Sequence, residues 1–384
     1  MAPKQDVPAS DEHPTQALIH LDRLTHNVRL LEELACGRPL WPAIKANAYG
    51  HGAEIVFRHL VALGCDTLCV AHLPEALALR EAGDEATFII LSATLPEHAG
   101  AIVAAGCEPV VCTKEMAAAL AQEAERQGRE VAIHLKVDTG MGRIGIAPHE
   151  VVDFLDHCRG LSRLRVRGVM SHFPRADEAD KSYSQAQLKR FLAVAAEARE
   201  HGVELRHMAN SAAILDLPES HLDAVRPGIA LYGLAPSREI ANPRVRELLP
   251  VLEWRSKVTF LKEVPAGTGL SYGHSFHTAR PSLIATVPVG YGDGLHRSLS
   301  DRCAFLVHGE RCPQVGRITM DQSMLDVTTL HGQVDIGDDV VIVGRQGGSQ
   351  VTADELASTL GTINYEVVTA ITARVIRRAV GGQC

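Results

Sequence analysis

An alternation of short and long segments constrains this chain more than any other feature. Short runs rich in apolar or β-branched residues trade places with longer stretches rich in Ala, Leu and Glu. The short runs read as strands at Leu40–Lys45, Thr67–Ala71, Thr87–Leu91, Pro109–Cys112, Ala132–Val137, Arg165–Ser171, Leu205–Ala209 and Asp223–Arg226. Helices are expected between them, at Glu97–Ala105, Lys114–Gln127 and Gln185–His201. The last carries Leu188, Phe191, Leu192 and Ala195 at the i, i+3, i+4, i+7 spacing of one helical face. Gly128 and Gly202 stand where helix-ending glycines belong. Eight strand–helix alternations in about 230 residues match an α/β fold of the (β/α)8 TIM-barrel type. An open doubly wound sheet shares the alternation and is the rival.

The pattern breaks after Gly233. Leu234–Pro250 holds Pro236, Pro243 and Pro250 and reads as a linker. Strand-type runs follow at Val251–Val264, Leu283–Val289, Ala304–His308, Ser323–Val327 and Val340–Val343, with one helix pair at Ala353–Leu360 and Tyr365–Ile371. The expected organisation is a disordered tail over 1–16, a barrel over 17–240 and a mostly β C-terminal domain over 241–384. A chain of 384 residues suits two domains, and its 46% hydrophobic content supports a sizeable core. With 4% aromatic residues an all-β sandwich is improbable, and the net charge of −8 argues against nucleic acid as a partner.

The N-terminal MAPKQDVPASDEHPTQ has no apolar h-region and reads as a tail rather than a signal peptide. No apolar run is long enough to span a membrane. The nine scattered cysteines read as buried thiols of a reducing cytoplasm. The 19 histidines show no ligand spacing, so no metal is expected.

A barrel places its chemistry at the C-terminal ends of its strands, and unusual polar residues fall there. Lys45 ends the first strand, Lys136 and Asp138 the fifth, and His172 the sixth. Asn210 and Ser211 follow the seventh, and Arg226 ends the eighth. A lysine delivered by an apolar strand loses its charge readily and can form a Schiff base; a snorkelling rim lysine is the ordinary alternative. The loops after strands seven and eight, ANSAAILDL and RPGIALYG, lie where barrels hold phosphate. Asn210 or Ser211 can cap a helix there, and Gly228 permits close approach. Simple capping and a tight turn would explain each loop separately. Together the lysine and the phosphate site suggest pyridoxal phosphate. Arg226 would then face the ring nitrogen and, by keeping its proton, weaken the electron sink. A surface ion pair of Arg226 with Asp223 or Glu219 is the alternative.

The segment KVDTGMGRIG, Lys136 to Gly145, contains G-x-G-x-x-G. A dinucleotide site would need an acid at the end of the next strand, where Ser171 and His172 stand instead. Arg143 in this loop suits a substrate carboxylate. The second domain holds three glycine-rich motifs, GTGLSYGHSF (Gly267–Phe276), VGYGDGLHR (Val289–Arg297) and VGRITMDQSMLDVT (Val315–Thr328). Their conspicuous residues are Tyr272, Tyr291 and the Met320–Asp321 pair; β-turns with core tyrosines are the plain alternative.

With these motifs in this order, the sequence resembles the bacterial alanine racemases, fold type III pyridoxal-phosphate enzymes, from about Ala17 to Val380. The resemblance implies interconversion of L- and D-alanine, for peptidoglycan or for catabolism, and a head-to-tail homodimer with shared active sites. It implies Lys45 as Schiff-base lysine and one catalytic base, with Tyr272 as the second base, reaching the partner subunit's site. Tyr49, Ser211, Gly228, Ile229 and Tyr365 match the phosphate-binding set, with Asn210 beside them. Arg226 matches the arginine at the pyridine nitrogen, and His172 the histidine linking it to the tyrosine. Arg143, Met320 and Asp321 match substrate-carboxylate residues, Tyr291 and Arg297 the substrate entry, and Lys136 a lysine often carbamylated.

There are departures from the family pattern. Thr319 stands where cysteine is frequent, His274 where arginine is frequent, and Leu295 and His296 where other residues are common. They bear on substrate breadth, and a racemase acting on serine is the nearest alternative. A fold type III decarboxylase would need a glutamate in place of Arg226. A non-catalytic pyridoxal-phosphate carrier would not need the Tyr272 loop. Four of the six tyrosines fall in site motifs, leaving Tyr183 and Tyr232 for packing.

Overall fold

The computed structural model describes residues 13–83 and 86–382, in two compact units. One unit runs from Asp22 to Pro250. The other joins residues 13–21 to the segment beginning at Val251. The tail expected over 1–16 lies outside the described residues as far as position 12.

The strands are β1 (Gln16–His20), β2 (Thr67–Val70), β3 (Thr87–Ile90), β4 (Glu108–Val111), β5 (Val131–Lys136), β6 (Leu164–Met170), β7 (Leu205–His207), β8 (Leu252–Lys257) and β9 (Phe260–Val264). There follow β10 (Gly269–Leu270), β11 (Phe276–His277), β12 (Ser282–Val287), β13 (Ala304–Val307), β14 (Glu310–Pro313), β15 (Ser323–Asp326), β16 (Asp339–Gln346), β17 (Ser349–Val351) and β18 (Ile376–Val380).

In the first unit β2 to β7 pair in sequence order, all parallel. Closure decides between barrel and open sheet, and two short staves supply it. Ala43 bridges Cys69 of β2, Ala224 bridges His207 of β7, and Leu40 bridges Val225, all parallel. Trp41 N–H to the Val225 carbonyl and Ala43 N–H to the Pro227 carbonyl, each 2.8 Å, tie the two staves together. The sheet is therefore a closed eight-stave barrel, as the alternation predicts. Its first and last staves are too briefly paired to form regular strands. β2 and β3 are apolar runs because both of their faces are covered, every residue of β2 being buried. Inside, Trp41, Ala43, Cys69, Ile89, Val110, Met170 and Ala224 form one packed cluster.

The helix signals hold locally. Lys114–Gln127 is capped by the Thr113 hydroxyl, which accepts from Met116 N–H at 3.2 Å, and ends at Gly128 with φ 66°. The helix expected over 185–201 spans Ser182–Glu200.

The second unit is mostly β. Its main sheet runs β14-β13-β16-β8-β1-β18, with β17 on β16; β15-β12-β9 and the β10–β11 hairpin complete it. Here the structure corrects the expected barrel boundary at residue 17. β1 pairs parallel with β18 and antiparallel with β8. Its alternating pattern buries Ala17 and Ile19 completely, and burying a side chain the size of Ile contributes about 2 kcal/mol. The segment taken as the lead-in to the barrel is thus a strand of the other unit. The linker expected over 234–250 belongs to the first unit.

Candidate active site

Lys45 follows the first stave directly, and the chain then does something costly. Ala46, Asn47, Ala48 and Tyr49 all lie in the left-handed region, with φ between 51° and 54°. Each such residue costs about 1–2 kcal/mol when it is not glycine. An asparagine eases the cost at one position, and alanines avoid the larger strain a β-branched residue would add. Specific bonds hold the turn. Glu75 accepts from Ala46 N–H at 2.7 Å and, through its other oxygen, from Ala71 N–H at 2.7 Å. The Asn47 side-chain oxygen accepts from Ala53 N–H at 2.7 Å. Burial first, then the Arg143 charge, hold the Lys45 amine below the ordinary lysine range.

Ser211 and Gly228 come together as the loop pattern demands. Asn210 is the cap of Ser211–Asp216, accepting from Ala213 N–H at 3.1 Å. That leaves the buried Ser211 hydroxyl to accept from Gly228 N–H at 2.8 Å and Ala230 N–H at 3.2 Å. With both lone pairs engaged, the hydroxyl proton is free to donate to an anion. A Cβ on Gly228 would lie 2.6 Å from the Tyr49 hydroxyl and 3.8 Å from the Ser211 oxygen. Only glycine allows these donors to converge. Ile229 opens the short turn that follows. Two hydroxyls over a glycine backbone, and an amine held below its usual range, fit a phosphate and an aldehyde carried by one molecule.

Arg226 is buried, and no surface ion pair forms; Asp223 binds Arg206 instead. Burial draws its guanidinium down to about 10, so it keeps its proton at neutral pH. It donates to His207 Nδ1 at 2.6 Å and to the carbonyls of Ser171 and Met208. Because arginine only donates, the tautomers behind it are fixed. His207 Nε2 donates to His134 Nδ1 at 2.9 Å, and His134 Nε2 donates to Glu108 at 2.9 Å. Glu108 also holds Arg167 at 2.6 Å and 2.7 Å. Burial holds both histidines below the ordinary imidazole range. Sequence reasoning missed this relay, because His134 lies inside β5 and His207 closes β7, both among apolar neighbours rather than in a loop motif. Their only signal was a histidine in each of two apolar runs. Among the described residues, the hydrogen-bonded ring beside Arg226 is His207. His172 is held well below the histidine range by burial and by the charges of Lys136, Arg226, Arg143 and Lys45.

The glycine loop after β5 is not a phosphate cradle. Its N–H groups at Gly140, Met141 and Gly142 all donate to the Asp138 carboxylate, at 2.8–3.1 Å. Burial pushes that carboxyl up, but these bonds outweigh it and hold it below the usual range. Gly145 is required because a Cβ there would come 2.6 Å from Asp138 N. The loop presents Arg143, exposed. Lys136 is buried and makes no ion pair among the described residues. Burial, then Arg226 and Arg143, hold it well below the lysine range.

In the second unit Tyr272 tips the β10–β11 hairpin, 71% exposed. Two other motifs meet each other: Tyr291 N–H binds the Thr319 carbonyl at 3.0 Å and Gly292 N–H the Met320 carbonyl at 2.8 Å. Thr319, where cysteine was expected, organises the turn by accepting from Gln322 N–H at 3.1 Å. Met320 and Asp321 are exposed beyond it. Arg374, which sequence reasoning missed, pairs with Asp321 at 2.8 Å and with buried Asp293 at 3.2 Å. Arg297 is exposed. Tyr365 sits in the first turn of Asn364–Thr369, half-buried.

A closed parallel barrel, a desolvated lysine after its first stave and the Ser211 and Tyr49 hydroxyls over Gly228 fit the class of barrel-type pyridoxal-phosphate enzymes. Comparison with known proteins narrows the class. The family model "Alanine racemase, N-terminal domain" matches residues 19–236, and "Alanine racemase, C-terminal domain" matches 251–379. An alanine racemase of Desulfovibrio desulfuricans is 44% identical over 371 residues, covering 96% of this chain and 98% of that protein. The solved alanine racemase of Clostridium difficile 630 superposes with a TM-score of 0.91 at 36% identity, over 96% of each chain. That of Bacillus anthracis with bound L-Ala-P gives 0.89 at 36% identity, over 96% of each chain. The chain belongs to the alanine racemase family.

Proposed function

We propose that this chain interconverts L- and D-alanine with two bases, Lys45 on one face of the bound amino acid and Tyr272 on the other. The observation that carries the reading is the low-pKa Lys45 amine beside the Ser211–Gly228–Tyr49 cradle. Pyridoxal phosphate, when bound there, supplies the electron sink that acidifies the α C–H bond. Lys45 would hold it covalently; Tyr49, Ser211, Gly228, Ile229 and Tyr365 would hold its phosphate. Arg226, donating and never accepting, would keep the ring nitrogen unprotonated and favour reprotonation over other fates of the α-carbon. Arg143 and the Met320 N–H, with Asp321 beside it, would hold the substrate carboxylate. Tyr291 and Arg297 would line its entry.

Each base must be neutral or anionic on one side as the other delivers a proton. In D2O, wild-type protein given L-alanine should yield D-alanine carrying α-deuterium, with L-serine as the comparison for breadth. Tyr272→Phe should lose at least about a hundredfold in inversion, the usual weight of a general base. Full-rate inversion by that variant from both enantiomers refutes the two-base reading.

The exposure of Tyr272 supports a head-to-tail homodimer in which it completes the site of a second copy. Lys136 fits carbamylation. Carbon dioxide bonds to the neutral amine, one proton leaves, and the resulting anion can pair with Arg143. Incubation with 13C-bicarbonate should give a carbamate resonance that Lys136→Ala lacks; its absence from the wild type removes this assignment. No helix of the described residues is long and apolar enough to cross a membrane, and the free thiols support a cytoplasmic setting. There the enzyme would supply D-alanine for peptidoglycan or feed alanine catabolism. Failure to rescue a D-alanine auxotroph would argue against the first role.

A further inference from the structure

Tyr272 is aimed by a residue whose backbone its own side chain should forbid. Ser271 has φ 60° and ψ −173°, a region that glycine alone occupies without strain. The register Leu270↔Phe276 and Gly269↔His277 fixes both stems of the hairpin. Below it Leu270 packs in a cluster with Ile284 and Val315. The loop Ser271–Ser275 must therefore turn the chain on a rigid base.

Two bonds hold the strained residue. The Ser271 hydroxyl donates to the Arg317 carbonyl at 2.6 Å. The Ser271 carbonyl accepts from His274 N–H at 3.1 Å, closing a turn around Tyr272 and Gly273. The acceptor is itself anchored on both sides. Gly316 N–H binds the Asp301 carboxylate at 2.5 Å, and Ile318 N–H binds the Ser300 hydroxyl at 3.0 Å. Gly316 also makes the approach possible, since a Cβ there would lie 3.0 Å from the Ser271 Cβ. Tyr272 is mostly exposed, so its direction is set by the backbone before it more than by packed neighbours.

We propose that Ser271 is a positioning residue: its hydroxyl clamps the strained peptide to the Arg317 carbonyl and thereby aims the Tyr272 hydroxyl at the substrate α-carbon. This rests on the reading of Tyr272 as a base. The two parts of the device separate by substitution. Ser271→Ala keeps the Cβ, hence the strain, and loses the clamp, so the turn relaxes away. Ser271→Gly loses the clamp and the strain together, so the native turn stays accessible.

The holoenzymes of Ser271→Ala, Ser271→Gly and Tyr272→Phe are incubated in D2O with each enantiomer of alanine. Inversion and α-deuterium uptake with retention are followed separately, alongside thermal unfolding. Ser271→Ala is expected to invert about ten- to a hundredfold more slowly, while the enantiomer whose α-hydrogen faces Lys45 still exchanges with retention. Ser271→Gly should fall between Ser271→Ala and the wild type in inversion and in melting temperature. Equal inversion and melting for the two variants, or wild-type inversion by Ser271→Ala, overturns the proposal. Should Ser271→Ala fail to fold, Ser271→Gly decides, and wild-type inversion by it overturns the proposal. Wild-type inversion by Tyr272→Phe instead removes the base reading beneath it.

Discussion

The positive charges of Lys45 and Arg143 repel, and this adds to burial in keeping the Lys45 amine below the ordinary lysine range. As a base the amine must be neutral, so it sets an acidic limb in the pH profile. Removing the Arg143 charge favours the protonated amine and raises its pKa. Arg143→Met should therefore move the acidic limb of kcat to higher pH, while Arg143→Lys leaves it near the wild-type position. A limb that shifts equally in both variants would detach it from this charge. Single residues were partly legible in the sequence. Lys45, Ser211 and Gly228 stood out because strand ends and loops advertise their chemistry. Tyr183 and Tyr232 were left to packing, yet their hydroxyls donate to the carbonyls of Gly140 at 2.7 Å and Ala43 at 2.9 Å. Such bonds join residues 43 and 189 positions apart, a pairing no local pattern carries.

At the scale of elements, the barrel strands were readable because burial makes most of them apolar, β2 and β3 throughout and β6 in its last three residues. The first and last staves were equally readable, although pairing there is limited to single bridges. What apolarity hides is the polar thread through them, Arg226–His207–His134–Glu108–Arg167. Burial pushes the Glu108 carboxyl up, but bonds to His134 and Arg167 outweigh it and hold it below the usual range. A carboxyl depressed in the folded state contributes stability that is present above its unfolded pKa. That contribution is lost as pH falls through the folded value. Glu108→Gln removes the charge while leaving an acceptor for His134, and should cost about 1–3 kcal/mol at neutral pH. The gap between variant and wild type should narrow as pH drops below about 4. Chemical denaturation at several pH values measures this, and a gap that stays constant would show that the charge on Glu108 is not what stabilises the thread.

The whole molecule was least legible where chain order and spatial order part. QALIH alternates as a strand should, but the run of barrel strands behind it drew it into the wrong unit. Its partners β8 and β18 lie more than 230 residues further along. The two proposed bases are likewise far apart in the chain, Lys45 in one unit and Tyr272 in the other. If the tyrosine serves a second copy, the two functions can be destroyed in different chains and recovered by mixing. Lys45→Ala and Tyr272→Phe are each expected to be inactive alone. After unfolding and refolding together in equal amounts, half the dimers are hybrids. Each hybrid has one site with both bases and one with neither, so about a quarter of the wild-type activity should return. Recovery requires association, so dilution below the dimer dissociation constant should abolish it. Were Lys45 and Tyr272 to act within one chain, every hybrid would contain two half-equipped sites, and mixing would restore nothing.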